Sequence, residues 1–531
     1  MERRDFLQRA ALVGGAVLTA RHAQAQPAAG AFPVEEQTVA ALQEAMTAGH
    51  VTARVVTEAY LQRIAAIDRS GPRLNSVIEV NPDALDIAEQ LDRERASGAV
   101  RGPLHGIPVL IKDNIDTADR MKTTAGSLAM VDARPLQDAF IVERRRASGA
   151  VLLGKTNLSE WANFRSTKST SGWSARGGLT HNPYALDRNA CGSSSGSGVA
   201  VSASLCAVAI GTETDGSIIC PSARTGVVGI KPTVGLLSRG GIIPISSTQD
   251  TAGPMARTVA DAAALLGALT GVDGRDPATT PSAKRAQRDY RSSLRADALK
   301  GARLGVMRNF MGADARVDAI VEEAIVALKA AGAEIVDPAN LPTRGQFGKA
   351  EFELMLYEFK AGINAYLAGL GAAAPMKTLG DLIAFNEAHA AEEMPYFGQE
   401  IFIQAQARGP LSEKAYRQAR DEARRLSRVE GLDVVFRRHA VDALIAPSGG
   451  TAWLTDLING DSGTGGSSGP AAVSGYPSVT VPAGTIFGLP IGLSFIGPAW
   501  SEATLIALAY AFEQATNARR APEFLPRALV G

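Results

Sequence analysis

Cysteine is nearly absent: three residues in 531, at positions 191, 206 and 220, with no Cys-x-x-Cys and no His-x-x-x-His pair. A structural zinc site or a disulfide framework is therefore not what organises the chain, and no metal ligand set is expected. Cys191 and Cys220 leave two readings open, a bridged pair or two small buried thiols, and the thiols are the expectation. Neither sign of charge dominates, since Lys+Arg and Asp+Glu both number 54. No basic face for nucleic acid is expected from that balance. Histidine is scarce too, and none of His50, His105, His181, His389 or His439 sits in a motif. A nucleophile in this chain must find its base elsewhere. No internal repeat is found.

What is present is ample material for a core, with 46% hydrophobic residues and 20% charged. The length allows one large domain or two to three ordinary ones. At the N-terminus, Arg3-Arg4 is followed by an apolar run, Ala10 to Ala20, and then Ala23-Gln24-Ala25. A twin arginine, a short apolar core and a small-x-small site predict an export signal of the twin-arginine type, cleaved after Ala25. The run is too short to span a bilayer. The mature protein is expected to be periplasmic or secreted, with no membrane association after export.

Hydrophobic spacing predicts helices over 34–48, 53–69, 83–96, 138–148, 258–269, 317–331 and 502–518. Apolar runs bounded by Gly and Pro predict strands near 106–112, 151–154, 206–211, 226–230, 303–307, 333–336, 443–447, 479–481 and 491–495. Helix-then-strand alternation is the pattern of an α/β fold. From 348 to about 440 the pattern is helical throughout, a section expected to cover the α/β core. Residues 160–178, with Trp161, Phe164 and Trp173 among polar neighbours, read as a loop lining a site, and 459–470 as a flexible Gly/Ser loop.

The centre of the chain is Cys191–Thr233, almost free of charge and crowded with Gly and Ser. Linkers can be Gly/Ser-rich, but they do not carry Val-Ala-Val and Gly-Val-Val-Gly-Ile between their glycines. Such a segment is buried, with backbone close to backbone, and its hydroxyls need partners. Gly192-Ser193-Ser194-Ser195-Gly196 spells a Gly-x-Ser-x-Gly turn, but no apolar strand precedes it. The run itself carries no Gly-x-x-x-x-Gly-Lys-Ser/Thr, so it is not a phosphate-binding loop. Asp215-Gly216-Ser217 follows an apolar segment, and a Gly before a Ser leaves main-chain N–H groups free for an oxyanion. Lys112 ends an apolar strand, where burial would lower its pKa toward that of a base. A salt bridge to Asp113 is the alternative, and spacing does not decide between them. Serine with a distant lysine is the chemistry that remains.

The segment Gly192–Thr233 resembles the amidase signature family, whose pattern is a Gly/Ser-rich run, a Gly-Thr-Asp-x-Gly-Gly-Ser stretch and a closing Gly-x-x-Gly-x-Lys-Pro. His105-Gly-Ile-Pro-Val-Leu-Ile-Lys112-Asp113-Asn, Gly475-Tyr-Pro-Ser-Val-Thr-Val-Pro and Gly488-Leu-Pro-Ile-Gly-Leu-Ser-Phe resemble its other core strands. The resemblance runs from about Val34 to Phe524. It implies a central mixed β-sheet flanked by helices on both faces, with residues 26–531 as a single amidase domain. It also implies Ser217 as the acyl-forming nucleophile, Ser193 after a cis peptide bond as the bridging serine, and Lys112 as the base. The main-chain N–H groups of Thr214, Asp215, Gly216 and Ser217 would form the oxyanion hole. The sequence departs from the family at Cys191, Asp215 and Ile219, where Gly, Gly and Arg are usual. Glu213-Thr-Asp-Gly-Ser, Glu160-Trp-Ala-Asn-Phe-Arg and Ser171-Gly-Trp-Ser are especially similar to bacterial peptide amidases. The implied reaction is hydrolysis of a carboxamide, the C-terminal amide of a peptide, with Trp173, Ser174 and Tyr476 near the substrate and no cofactor. A broader amidase for small aliphatic or aromatic amides, a transamidating subunit for charged tRNA, and an exported peptide-binding protein without turnover are the alternatives.

Overall fold

The computed structural model describes residues 32–372, 374–463 and 465–529. The expected export signal, residues 1–25, lies outside them. Among the described residues eleven strands form one sheet. They are β1 (Val77–Val80), β2 (Pro108–Lys112), β3 (Val151–Thr156), β4 (Val208–Glu213), β5 (Val228–Lys231) and β6 (Thr251–Ala256). Then come β7 (Arg303–Val306), β8 (Glu334–Val336), β9 (Ala443–Pro447), β10 (Ser478–Ile486) and β11 (Leu489–Ile496). Their spatial order is β1-β3-β2-β4-β6-β5-β10-β11-β9-β7-β8. β2 runs parallel to β3 and β4, and β7 parallel to β8 and β9, while the other pairings are antiparallel. The fold is α/β with a large mixed sheet, as the sequence implied. Every residue of β2 to β6 is buried, which is why β2 to β5 read as largely apolar runs and not as alternation.

The Gly/Ser run forms a helix, Ser195–Ser202, in which all eight residues are buried. Only small side chains let it lie so close to its neighbours. A Cβ on Gly196 would stand 2.3 Å from the carbonyl oxygen of Ser76 and 2.4 Å from that of Asn157. The helical section is helical as expected, through Gly348–Gly369, Leu379–Ala388, Glu400–Gln406, Lys414–Arg424 and Asp433–His439. It shares its apolar contacts with the rest of the chain: Leu356, Phe359, Ile363 and Phe402 pack in one cluster with Trp161, Phe164, Ile243 and Ile245. No described helix is long and apolar enough to cross a membrane.

Several elements differ from expectation. β6 was not foreseen, because Thr251-Ala-Gly-Pro-Met-Ala carries a Gly and a Pro that argue against a central strand. The Gly is needed there: a Cβ on Gly253 would lie 2.0 Å from the carbonyl oxygen of Ile230 on β5. The described residues of the expected loop are irregular up to Ser467, and its last three open a helix, Ser468–Ser474. The first helix begins at Val39 instead of Val34, where the Thr38 hydroxyl caps it by accepting from Ala41 N at 3.1 Å. Cys191 and Cys220 form a disulfide, with Cα atoms 6.0 Å apart, which corrects the expectation of two free thiols. The fold brings the two ends of that stretch together, which no spacing rule could show. Cys206 is the buried free thiol, and burial pushes it up to about 12. Finally, Gly149-Ala-Val-Leu-Leu-Gly154-Lys155-Thr156 formally spells the phosphate-loop pattern that the Gly/Ser run lacks. Residues 151–156 of it are the buried strand β3, not a loop.

Candidate active site

Strand β2 delivers Lys112 to the interior end of the sheet, where it has no solvent exposure. Its Nζ donates to Ser193 Oγ at 2.7 Å, to Thr212 Oγ1 at 2.9 Å and to the Thr212 carbonyl at 3.3 Å. Asn114 Nδ2 donates to the same Thr212 hydroxyl at 3.0 Å. Burial pushes the Lys112 ammonium down to about 7, against a weaker pull upward from Glu213 and Asp250. The open alternative, a pair with Asp113, is not what forms. Successive strand side chains point to opposite faces, and Asp113 meets Arg176 Nη1 at 3.2 Å and the Thr124 hydroxyl. Arg176 in turn bonds Glu79.

The serine run sorts itself by partner. Ser194 Oγ donates to the Thr212 carbonyl (2.9 Å), Ser195 Oγ to the Cys191 carbonyl (2.5 Å) and Ser197 Oγ to the Ile210 carbonyl (3.1 Å). These three knot the run to its own backbone and to β4. Ser193 alone of the four meets a titratable nitrogen. The Gly192–Ser193 peptide bond is cis. Gly192 has no room for a side chain, since a Cβ would stand 2.1 Å from Ser159 Oγ. Ser193 and Ser217 come from opposite ends of a segment that the Cys191–Cys220 bridge closes. The main-chain N–H of Ser194 donates to the carbonyl of Ser217 at 3.1 Å, tying the two turns together. Ser217 is 8% exposed, and among the described residues its hydroxyl makes no hydrogen bond, to Ser193 included.

The turn carrying Ser217 is held from behind. The fully buried Glu213 carboxylate accepts from the N–H of Ile218 (2.7 Å) and of Ile219 (2.9 Å), at the start of helix Ile219–Arg224. Gly216 has φ +75°, a left-handed conformation that an L side chain rarely adopts, and a Cβ there would also meet Ser468 Oγ at 3.0 Å. Among the described residues no hydrogen bond engages the N–H of Asp215, Gly216 or Ser217. Free donors beside an accessible hydroxyl suit a developing oxyanion. Thr214 points its hydroxyl away, to Asp250 Oδ1 at 2.6 Å. A cavity of about 380 Å³ adjoins this cluster at Asn114, Thr212 and Thr214, but neither serine lines it.

The residues expected near the substrate are spread more widely. Trp173 is packed edge-on against Phe397 and Tyr396, at centroid distances of 5.2 and 5.4 Å, and so joins the 160–178 loop to the helical section. Ser174 Oγ is buried and donates to Asn157 Oδ1 at 2.7 Å, tying that loop to the residue that follows β3. Tyr476 donates its hydroxyl to Asp433 Oδ1 at 2.8 Å, while its carbonyl accepts from Lys231 Nζ at 2.8 Å. Thr212, Asn114 and Glu213 were given no role from the sequence, although Asn114 and Glu213 stand in the quoted motifs and Thr212 lies beside one. Proximity in the chain was the signal that could have found them. Among the described residues no group of three or more His, Cys, Asp or Glu could hold a metal ion.

A protein-family model described as Amidase matches residues 55–506. The X-ray structure of native peptide amidase from Stenotrophomonas maltophilia is 55% identical, covers 93% of this chain and 99% of its own, and superposes with a TM-score of 0.88. A structure of the peptide amidase PAM in complex with the competitive inhibitor chymostatin is also 55% identical, covering 93% of this chain and 100% of that one, with a TM-score of 0.90. The probable amidase At4g34880 of Arabidopsis thaliana is 41% identical over 503 residues, 93% of each protein.

Proposed function

The chain belongs to the amidase family, and from that premise we propose that it hydrolyses the C-terminal carboxamide of peptides, with Ser217 as nucleophile, Ser193 as relay and Lys112 as base. It is a hydrolase acting on amides. The observation that carries the finer reading is the buried Lys112 amine, 2.7 Å from Ser193 Oγ and held down to about 7. An amine in that range is neutral often enough at pH 7 to accept a proton. In the proposed cycle Lys112 takes the proton of Ser193, which takes that of Ser217 as its Oγ attacks the amide carbonyl. Substrate binding closes the Ser193–Ser217 gap into a hydrogen bond. The oxyanion collects on the N–H groups of Asp215, Gly216 and Ser217, with Thr214 contributing at the loop's entrance. The same relay protonates the leaving ammonia, and water then attacks the acyl-enzyme by the reverse path, releasing a carboxylate. No organic cofactor takes part in any step.

The peptide substrate is supported by the two peptide amidase neighbours, one of them with a peptide-like inhibitor. Export by the twin-arginine route belongs to the same reading. The Cys191–Cys220 bridge, a bond that persists in oxidising compartments, supports a periplasmic or secreted destination. The test is incubation of the purified protein with an N-acetylated peptide amide, a simple amide such as benzamide and a peptide free acid. Equimolar ammonia and acid from the peptide amide, lost in Ser217→Ala, is the expected result. Faster release from benzamide would favour the broader amidase, and no ammonia from any carboxamide would leave only a binding protein.

A further inference from the structure

Asp215 stands where the family usually has glycine, between two residues whose N–H groups face the nucleophile. Asp215 is solvent-exposed and lies two residues before Ser217. Ser468 Oγ donates to its Oδ1 at 2.6 Å. Gly469, next to Ser468, passes beside Oδ2, where a Cβ at 469 would stand in ordinary contact at 3.6 Å. The nearly buried Glu351 borders it, receiving a hydrogen bond from Gln249 Nε2 at 2.9 Å. Burial and the charge of Asp215 push the Glu351 carboxyl up to about 8, so it keeps its proton at neutral pH. Burial raises the Asp215 carboxyl as well, and as the exposed member of the pair it is the one that carries the charge, an acceptor with about four lone-pair directions. Ser468 and protonated Glu351 take up two of them.

A carboxylate inside an oxyanion-binding loop opposes the charge that develops there, so it does not serve the chemical step. What it can do is accept a hydrogen bond from a neutral substrate. With the scissile carbonyl oxygen on the loop, the nitrogen of the residue bearing the carboxamide lies about 2.5 Å from the scissile carbon, fixed by covalent geometry. That N–H exists in a peptide amide and is missing from a simple amide. We infer that Asp215 reads this peptide N–H, and that it selects N-acylated amino-acid amides over simple amides while repelling the carboxylate product. The inference rests on the peptide amidase reading above and names the group that produces the preference.

The experiment compares N-acetyl-phenylalanine amide with 3-phenylpropanamide, which has the same side chain and carboxamide but no acylamino group. In the unaltered protein kcat/KM is expected to favour the first strongly. In Asp215→Asn, whatever the loop itself loses, the ratio between the two substrates is expected to fall roughly 10- to 100-fold, mainly through KM of the peptide amide, the range for a hydrogen bond to a charged group. N-acetyl-phenylalanine is expected to inhibit the variant more strongly than the unaltered protein. Ser468→Ala, which only frees Asp215, is expected to lower the ratio to a smaller extent and guards against a misfolded first variant. An unchanged ratio in both variants, or equal losses on both substrates, overturns the inference. If the unaltered protein releases ammonia from neither amide, it is the proposed function that fails, and the two failures are distinct.

Discussion

Two lysines sit one strand apart in this molecule, both without solvent exposure, and they do different things. Lys112 ends β2 and Lys155 lies on β3, where the parallel register pairs Ile111 with Lys155 and Lys112 with Thr156. Lys155 Nζ donates to the Ile115 carbonyl (2.6 Å) and to Thr123 Oγ1 (2.9 Å), and four carboxylates, Asp113, Asp116, Asp119 and Glu79, pull against the lowering that burial imposes. Lys112 feels only Glu213 and Asp250, and its partners are the Ser193 and Thr212 hydroxyls and the Thr212 carbonyl. Burial alone does not make a base. Four carboxylates pull against desolvation at Lys155 and two at Lys112, and of the two lysines only Lys112 touches a serine hydroxyl through which a proton can move.

The contrast can be broken in order of effect. Lys112→Ala and Ser217→Ala are each expected to lower kcat by about 10⁴-fold or more, the scale seen when one member of a cooperating set is removed. Single-turnover assays of ammonia release measure it, and full activity of Lys112→Ala would sink the relay. Ser193→Ala, which removes the bridge but neither end, is expected to cost about 10²- to 10³-fold, within the range for one proton-transfer step.

The pH profile sharpens the same point. The base works neutral and its pKa is lowered to about 7, so kcat/KM should rise about tenfold per pH unit below that value and level off above it. A rise centred near the ordinary lysine value would mean that the amine is not desolvated. Lys155→Met should leave that midpoint in place. It leaves the Ile115 carbonyl and the Thr123 hydroxyl without their donor, takes a nearby positive charge from Asp113 and Asp116, and is expected to lower stability by about 3–5 kcal/mol in urea unfolding. The smallest effect concerns the bridge. Cys191→Ser with Cys220→Ser frees a 29-residue separation and is expected to cost about 3–4 kcal/mol by the chain-entropy estimate.

Much of this was legible because the strands around the site are fully buried and bounded by Gly and Pro. The strand expected over 106–112 runs from Pro108 to Lys112, and the helix expected at 83–96 from Ala84 to Ala96. What escaped notice did so for stated reasons. β6 holds a proline in register with Ile210, which local rules assign to edges and turns. β1 is four residues at the edge of the sheet, too short for alternation to register. Ser468 bonds Asp215 across 253 residues, and nothing near either residue announces the other.

By itself the sequence determined which residues could react: it offered no histidine in a motif, no metal ligands, one lysine closing an apolar strand and a run of serines among glycines. Only the tertiary structure decided which serine the lysine touches, that Asp113 turns to Arg176 instead, and that the two cysteines are joined. Residue type and local spacing are written along the chain. Hydrogen bonds of 2.7 Å between residues 81 apart, and the desolvation that lowers both buried amines, exist only once strands from distant parts of the chain lie side by side.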